Sequence, residues 1–227
     1  DHCSDLLFAP TDRAVVNLAD EGLADRVHRT GDVMYDAILA AKDRALAHST
    51  VLADLGLSEG SYVLATVHRA ANTDDPDRLG AIVSGLAAAP EPVVLPVHPR
   101  TEAALREYGL WKRARRDLSI VDPVGYLDFV RLLAGASRVA TDSGGVQKEA
   151  FYLDRPCVTL REETEWVELV ECGWNRLVGA DADAIEAALS DSVDLPPKPS
   201  IYGDGTAAAA IVDVIDEHAR AGVRVPG

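Results

Sequence analysis

Cysteine is scarce in this chain, with only Cys3, Cys157 and Cys172 among 227 residues. The number is odd and no pair has CxxC spacing. That argues against a disulfide framework or a structural zinc site and for a reducing, cytoplasmic compartment. Lysine is nearly absent, four against 18 arginines, and 37 acidic residues outweigh 22 basic ones for a net charge of −15. Such a surface repels DNA, RNA and anionic lipid, which disfavours nucleic acid and membrane as partners. It serves solubility, and it also suits a protein that works in high salt. No apolar run approaches the ~18 residues that span a bilayer, and no internal repeat is evident. An initiator methionine is also lacking: the chain opens Asp1-His2-Cys3 and enters the strand-like Leu6-Leu7-Phe8-Ala9 almost at once. We therefore expect the amino-terminal part of a longer protein to be missing.

What is present is an ordinary globular composition, 48% apolar and 26% charged, arranged in a rhythm of short β-branched runs and helical patterns. That rhythm predicts repeated βα units on a parallel sheet. Expected strands are 62–67, 93–97, 118–121, 138–141, 157–160 and 175–178, with helices at 77–88, 101–108, 126–134, 146–153 and 182–189. Asp75 and Pro76 suit a cap and a first turn. A smaller βαβα piece precedes them: strand 6–9, a helix from Thr11 to Glu21 stopped by Gly22, strand 27–30, and a helix from Val33 to about His48. The three prolines of Leu195-Pro196-Pro197-Lys198-Pro199 forbid helix, and an Ala-rich final helix follows between Gly205 and Gly222. The expected division is a remnant of a first domain at 1–49, a complete one at 50–205, and a last helix within 206–227.

Several strand ends carry groups suited to anions. The run Thr141-Asp142-Ser143-Gly144-Gly145-Val146-Gln147-Lys148-Glu149 follows one strand and opens a helix. Ser143, Gly144 and Gly145 there can offer a hydroxyl and free amides at the positive end of a helix dipole, and Glu149, a turn later, can accept from ribose hydroxyls. A serine-capped βα junction with a solvent-facing Glu reads equally well. His68 and Arg69 end the strand 62–67, where a cationic pair suits a diphosphate or a proton transfer; a surface His is as common there. His98, between Pro96 and Pro99, stands at a further strand end, and so does Arg161, after strand 157–160, where it can meet a phosphate with the carboxylates that follow orienting it. Tyr126 and Phe129 follow Pro123-Val124-Gly125 and can stack on a base or simply fill a core. Each bland alternative is plausible alone; their joint occurrence on one rim is the argument for a site.

In order, these segments resemble the non-hydrolysing UDP-N-acetylglucosamine 2-epimerases over essentially the whole chain. Leu7-Phe8-Ala9-Pro10-Thr11, Thr30-Gly31-Asp32-Val33, Thr66-Val67-His68-Arg69, Pro96-Val97-His98-Pro99, Thr141-Asp142-Ser143-Gly144-Gly145, Arg161-Glu162-Glu163-Thr164-Glu165 and Tyr202-Gly203-Asp204-Gly205 carry the likeness. The resemblance implies an α/β fold of two facing Rossmann-like domains (GT-B-type) with the last helix packing back on the first, no NAD or metal cofactor, and a homodimer. It implies inversion of carbon 2 of UDP-N-acetylglucosamine by UDP elimination and re-addition. His68 matches the active-site histidine, Ser143, Gly144 and Gly145 the diphosphate loop, Glu149 the ribose-binding Glu, and Phe129 an aromatic near the uracil. The family's catalytic carboxylates would lie ahead of Asp1, so this chain alone is expected to bind UDP without epimerising. The sequence departs from the family at Ala70-Ala71-Asn72, where HRRE or HRAEN is usual, and at Thr164-Glu165-Trp166-Val167-Glu168, where TERPE is usual. The second variant can mark a subgroup with another sugar, such as a diacetamido-uronic acid. A UDP-sugar glycosyltransferase of the same fold and a non-catalytic UDP-sugar-binding module are the competing readings.

Overall fold

The structure, a computed structural model, describes residues 1–192 and 194–222. These residues form two compact units, one of 1–40 with the stretch from 199 on, the other of 41–198. Residues 223–227 of the expected final helix segment lie outside the described residues.

In the first unit, β1 (Leu7–Ala9) pairs in parallel with β2 (Val27–Arg29), Leu7 opposite Val27. Between them α1 (Asp12–Asp20) starts where the Thr11 hydroxyl accepts from the Ala14 amide at 3.1 Å, and Gly22, at φ +79°, follows its end. The long helix α2 (Val33–His48) then begins. The final helix, Ala207–Gly222, is capped from a distance: the Asp36 carboxylate accepts from the amides of Ala207 and Ala208 at 3.2 and 2.7 Å. Gly222, expected just past this helix, is its last residue. Gly31 explains its own presence, since at φ +87° a Cβ there would lie 2.8 Å from the Tyr202 carbonyl oxygen.

The second unit takes in the end of α2 and α3 (Val51–Asp54) and is built on six parallel strands. In chain order they and their helices are β3 (Val63–Thr66), α4 (Ala70–Thr73), α5 (Pro76–Ala87), β4 (Val93–Pro96), α6 (Pro99–Glu107), α7 (Trp111–Asp117), β5 (Ser119–Val121), α8 (Tyr126–Gly135), β6 (Arg138–Thr141), α9 (Gly144–Tyr152), β7 (Cys157–Thr159), α10 (Val167–Glu171), β8 (Asn175–Leu177) and α11 (Ala182–Ser190). The order across the sheet is β5-β4-β3-β6-β7-β8. The chain thus runs outward from β3 to one edge, returns beside β3 as β6, and runs to the other edge. In such sheets ligands bind outside the carboxyl ends of strands at the point of reversal, here between β3 and β6.

The strands at the reversal are apolar on both faces, as a covered parallel sheet requires. Val63, Leu64, Ala65, Val139 and Ala140 are fully buried. Leu79, Ile82, Leu86, Ile185 and Leu189 pack over one face, each worth roughly 1.5–3 kcal/mol of burial. Gly85 lets α5 and α11 touch: a Cβ there would meet the Ile185 Cβ and the Ala182 carbonyl oxygen, both at 2.7 Å. Expected strands and helices recur within a residue or two. Helix α9 begins at Gly144 instead of Val146, because the Ser143 hydroxyl caps it by accepting from the Val146 amide. The short helices α4, α7 and α10 were not anticipated; α7 is mostly charged and buries only Ala114. Among the described residues no helix is long and apolar enough to cross a membrane.

Candidate functional site

The site starts from the register of two strands. Thr66 of β3 lies opposite Thr141 of β6, with their hydroxyls 2.6 Å apart. The next residues, Val67-His68-Arg69 and Asp142-Ser143, therefore leave the sheet side by side. Asp142 is fully buried. Its carboxylate accepts from the His68 amide at 3.0 and 3.1 Å, the Arg69 amide at 2.9 Å and the Asn72 side-chain amide at 3.2 Å. A buried carboxylate is tolerated when its lone pairs are satisfied in this way. Asn72 also donates to the Leu160 carbonyl and accepts from Arg78, which pairs with Glu162. The His68 ring stays partly exposed, its Nε2 3.9 Å from Asp142 and its centroid 5.6 Å from that of His98.

Ser143, Gly144 and Gly145 turn the chain into α9, so the first-turn amides and the positive dipole end face the carboxyl edge of the sheet. The Gly144 carbonyl is held by the Trp166 indole N–H at 2.8 Å, and the Lys148 ammonium lies 4.3 Å from the Trp166 ring centroid. Thr164 donates to Gln147 at 2.7 Å. The segment 161–166 is thereby fastened to the first turn of α9. Within it Glu165 accepts from both terminal nitrogens of Arg161, at 2.9 and 3.0 Å, and sits 3.5 Å from Arg69. The hydrogen bonds from Arg161 hold the Glu165 carboxyl down at about 2.

Beside this loop opens a cleft of about 390 Å³ lined by His68, His98, Pro123, Val124, Tyr126, Phe129 and Val146, among others. Its walls are largely aliphatic and aromatic, with the two imidazoles at one side. Tyr126 is 51% exposed at the cleft and its hydroxyl donates to Glu149 at 3.3 Å. Desolvation pushes the Glu149 carboxyl up, opposed by the bond from Tyr126 and by Lys148. Burial, with Glu149 beside it, pushes the Tyr126 phenol up to about 12. A larger depression, about 770 Å³, opens beyond β7 and β8 between Arg78, Arg161, Glu162 and Gly179. Its guanidinium groups are already neutralised by Glu162 and Glu165, so it is the poorer receptor for an anion.

Of the expected residues, His68, His98 and Phe129 line one cleft, and Tyr126, which lines it too, bonds Glu149. Arg69, Ser143, Gly144 and Gly145 adjoin it at the reversal point, while Arg161 lines the larger depression and is joined to Arg69 through Glu165. Sequence reasoning did not assign roles to Asp142, Asn72 or Trp166. An Asp directly after four buried strand residues was the available signal for the first. The arrangement offers cations and helix amides for an anionic group, a carboxylate for hydroxyls, and an aromatic wall for a planar ring.

A family model described as UDP-N-acetylglucosamine 2-epimerase matches residues 1–216. A Methanococcus maripaludis protein described as a UDP-N-acetylglucosamine 2-epimerase homolog is 42% identical over 95% of this chain and 61% of its own length. A UDP-2,3-diacetamido-2,3-dideoxy-D-glucuronate 2-epimerase of Pseudomonas aeruginosa is 44% identical over 95% of this chain and 60% of its own. The Methanocaldococcus jannaschii UDP-GlcNAc 2-epimerase, solved in complex with UDP-GlcNAc and UDP, superposes with a TM-score of 0.82 at 35% identity, covering 96% of this chain and 62% of that one. The chain thus spans about three fifths of the length of the relatives it matches.

Proposed function

The chain belongs to the UDP-N-acetylglucosamine 2-epimerase family, and from that premise we propose that its second unit grips the uridine diphosphate of a UDP-sugar for inversion at carbon 2. The observation that carries this reading is the cleft at the β3–β6 reversal, where a capped, glycine-opened helix meets two imidazoles and an aromatic wall. In this reading the uracil lies against Phe129 and His98. The ribose hydroxyls donate to Glu149. The diphosphate takes the amides of Gly144 and Gly145, the Ser143 hydroxyl and the Arg69 guanidinium. His68 contacts the diphosphate and assists the departing UDP. Arg161 acts on the diphosphate only by giving up part of its pairing with Glu165.

The carbon 2 proton is weakly acidic, so stabilising the leaving UDP matters. Cations and oriented amides around the diphosphate supply that stabilisation without reorganising in the reaction. Because the chain spans three fifths of its relatives' length, epimerisation is proposed for a protein that carries this chain together with the rest of the family's length, acting as a homodimer. Its sugar is UDP-N-acetylglucosamine or, as the 44% identity to the Pseudomonas enzyme favours, a diacetamido-uronic acid on UDP. Thermal melting of this chain with UDP, uridine and ADP tests the binding. UDP raises the melting temperature and ADP does not. Equal protection by both nucleotides refutes the uridine reading. Incubating the longer protein with each UDP-sugar and no acceptor tests the chemistry. The carbon 2 epimer accumulates in one case, whereas a glycosyltransferase yields none.

A further inference from the structure

Asp142 has no part in the proposed ligand contacts, yet several segments of the second unit converge on it. We propose that Asp142 is a positioning residue: its buried carboxylate holds the turn from His68 to Asn72 so that the His68 imidazole and the Arg69 guanidinium face the diphosphate. This rests on the UDP reading of the cleft and adds a residue to it.

Asp142 accepts from two consecutive backbone amides, those of His68 and Arg69. Holding both amides orients the peptide planes on either side of the His68 Cα, which sets the direction of the His68 side chain and the entry of the chain into Arg69. The side chain of Asn72 adds a further donor from the first turn of α4 and ties the same turn to the Leu160 carbonyl at 3.0 Å. The Asp142 side chain itself is 0% exposed, so it meets no ligand. Nor is it needed merely to hold β3 against β6. The ladder from Val63–Arg138 to Thr66–Thr141 and the paired threonine hydroxyls already do that. The nucleoside side of the cleft hangs from other elements: Tyr126 and Phe129 from α8, Glu149 from α9 and His98 from the end of β4. The carboxylate therefore acts on one half of the site.

The test is calorimetric titration of Asp142→Asn with UDP and with uridine. Asparagine keeps the size but turns an NH₂ group toward donors. One or two charged hydrogen bonds are lost, and the misaimed His68 and Arg69 side chains should weaken UDP about ten- to a hundredfold. Uridine affinity should not change. Equal losses for the two ligands, or none for UDP, overturn the proposal. A double-mutant cycle adds a readout that a purely structural role leaves still: His68→Ala should cost less in the Asp142→Asn background than in the parent chain. Additive losses overturn the proposal. Asn72→Ala, which withdraws one donor and leaves the buried charge, carries the same UDP-selective expectation should Asp142→Asn not fold. Failure of the unaltered chain to bind either ligand overturns the cleft reading itself, and this proposal with it.

Discussion

Replacing Glu149 by glutamine should make the free protein more stable and its UDP complex weaker. Glu149 is partly buried with one long hydrogen bond, from Tyr126 at 3.3 Å. Desolvation raises its pKa above the ordinary 4.5, so the fold prefers the protonated carboxyl. Its contribution to stability is present below pH 4.5 and is lost as pH rises through the raised folded value. Glutamine is neutral throughout and keeps that contribution at neutral pH. For UDP the sign reverses. An ionised carboxylate accepts from the two ribose hydroxyls, and hydrogen bonds to charged groups are worth ~1.5–3 kcal/mol each. Glutamine retains one acceptor, so the expected loss is about 1–3 kcal/mol, roughly a five- to 150-fold weaker complex. UDP affinity of the unaltered chain should rise with pH over the window in which Glu149 ionises, and the variant should lack that rise. Melting curves at pH 5 and pH 8, with and without UDP, read both effects. A variant that melts lower at pH 8, or that binds UDP unchanged, refutes the reasoning.

Ser143→Ala removes the cap of α9 and should cost ~1 kcal/mol in the free protein, with a further loss of UDP protection in melts; an unchanged melting temperature would contradict the cap. Gly85→Ala forces a methyl group into the Ile185 side chain and the Ala182 carbonyl, both at 2.7 Å. It should destabilise by ~1–3 kcal/mol, read as a lower urea midpoint. Glu165, held down near 2, stabilises the fold above its ordinary value of 4.5 and loses that contribution as pH falls through about 2. Glu165→Gln should therefore flatten the acid side of the melting profile between those values, and an unaltered slope would count against the Arg161 pairing.

The sheet was legible because strands such as Leu64–Ala65 and Val139–Ala140 are covered on both faces and read as unbroken apolar runs. The junction at Ser143 was legible because a small polar residue before glycines is a local signal of a helix start. Its exact start was not, since a glycine pair reads as loop until the cap at Val146 is seen. Short helices such as Trp111–Asp117 lack the apolar period that reveals longer ones. The role of Asp142 was hidden for a different reason. Its partners His68 and Asn72 lie 74 and 70 residues away. They meet only because β6 returns beside β3, an order that local pattern does not encode. Arg161 at its strand end read as a phosphate ligand oriented by the carboxylates after it, and it pairs with Glu165 four residues on.

A crystal structure of this chain soaked with UDP tests the account most directly. The base should lie against Phe129, the ribose at Glu149 and the phosphates on the amides of Gly144 and Gly145 with His68 in contact. UDP seated instead between Arg78, Glu162 and Gly179, or its base turned away from Phe129, would contradict it.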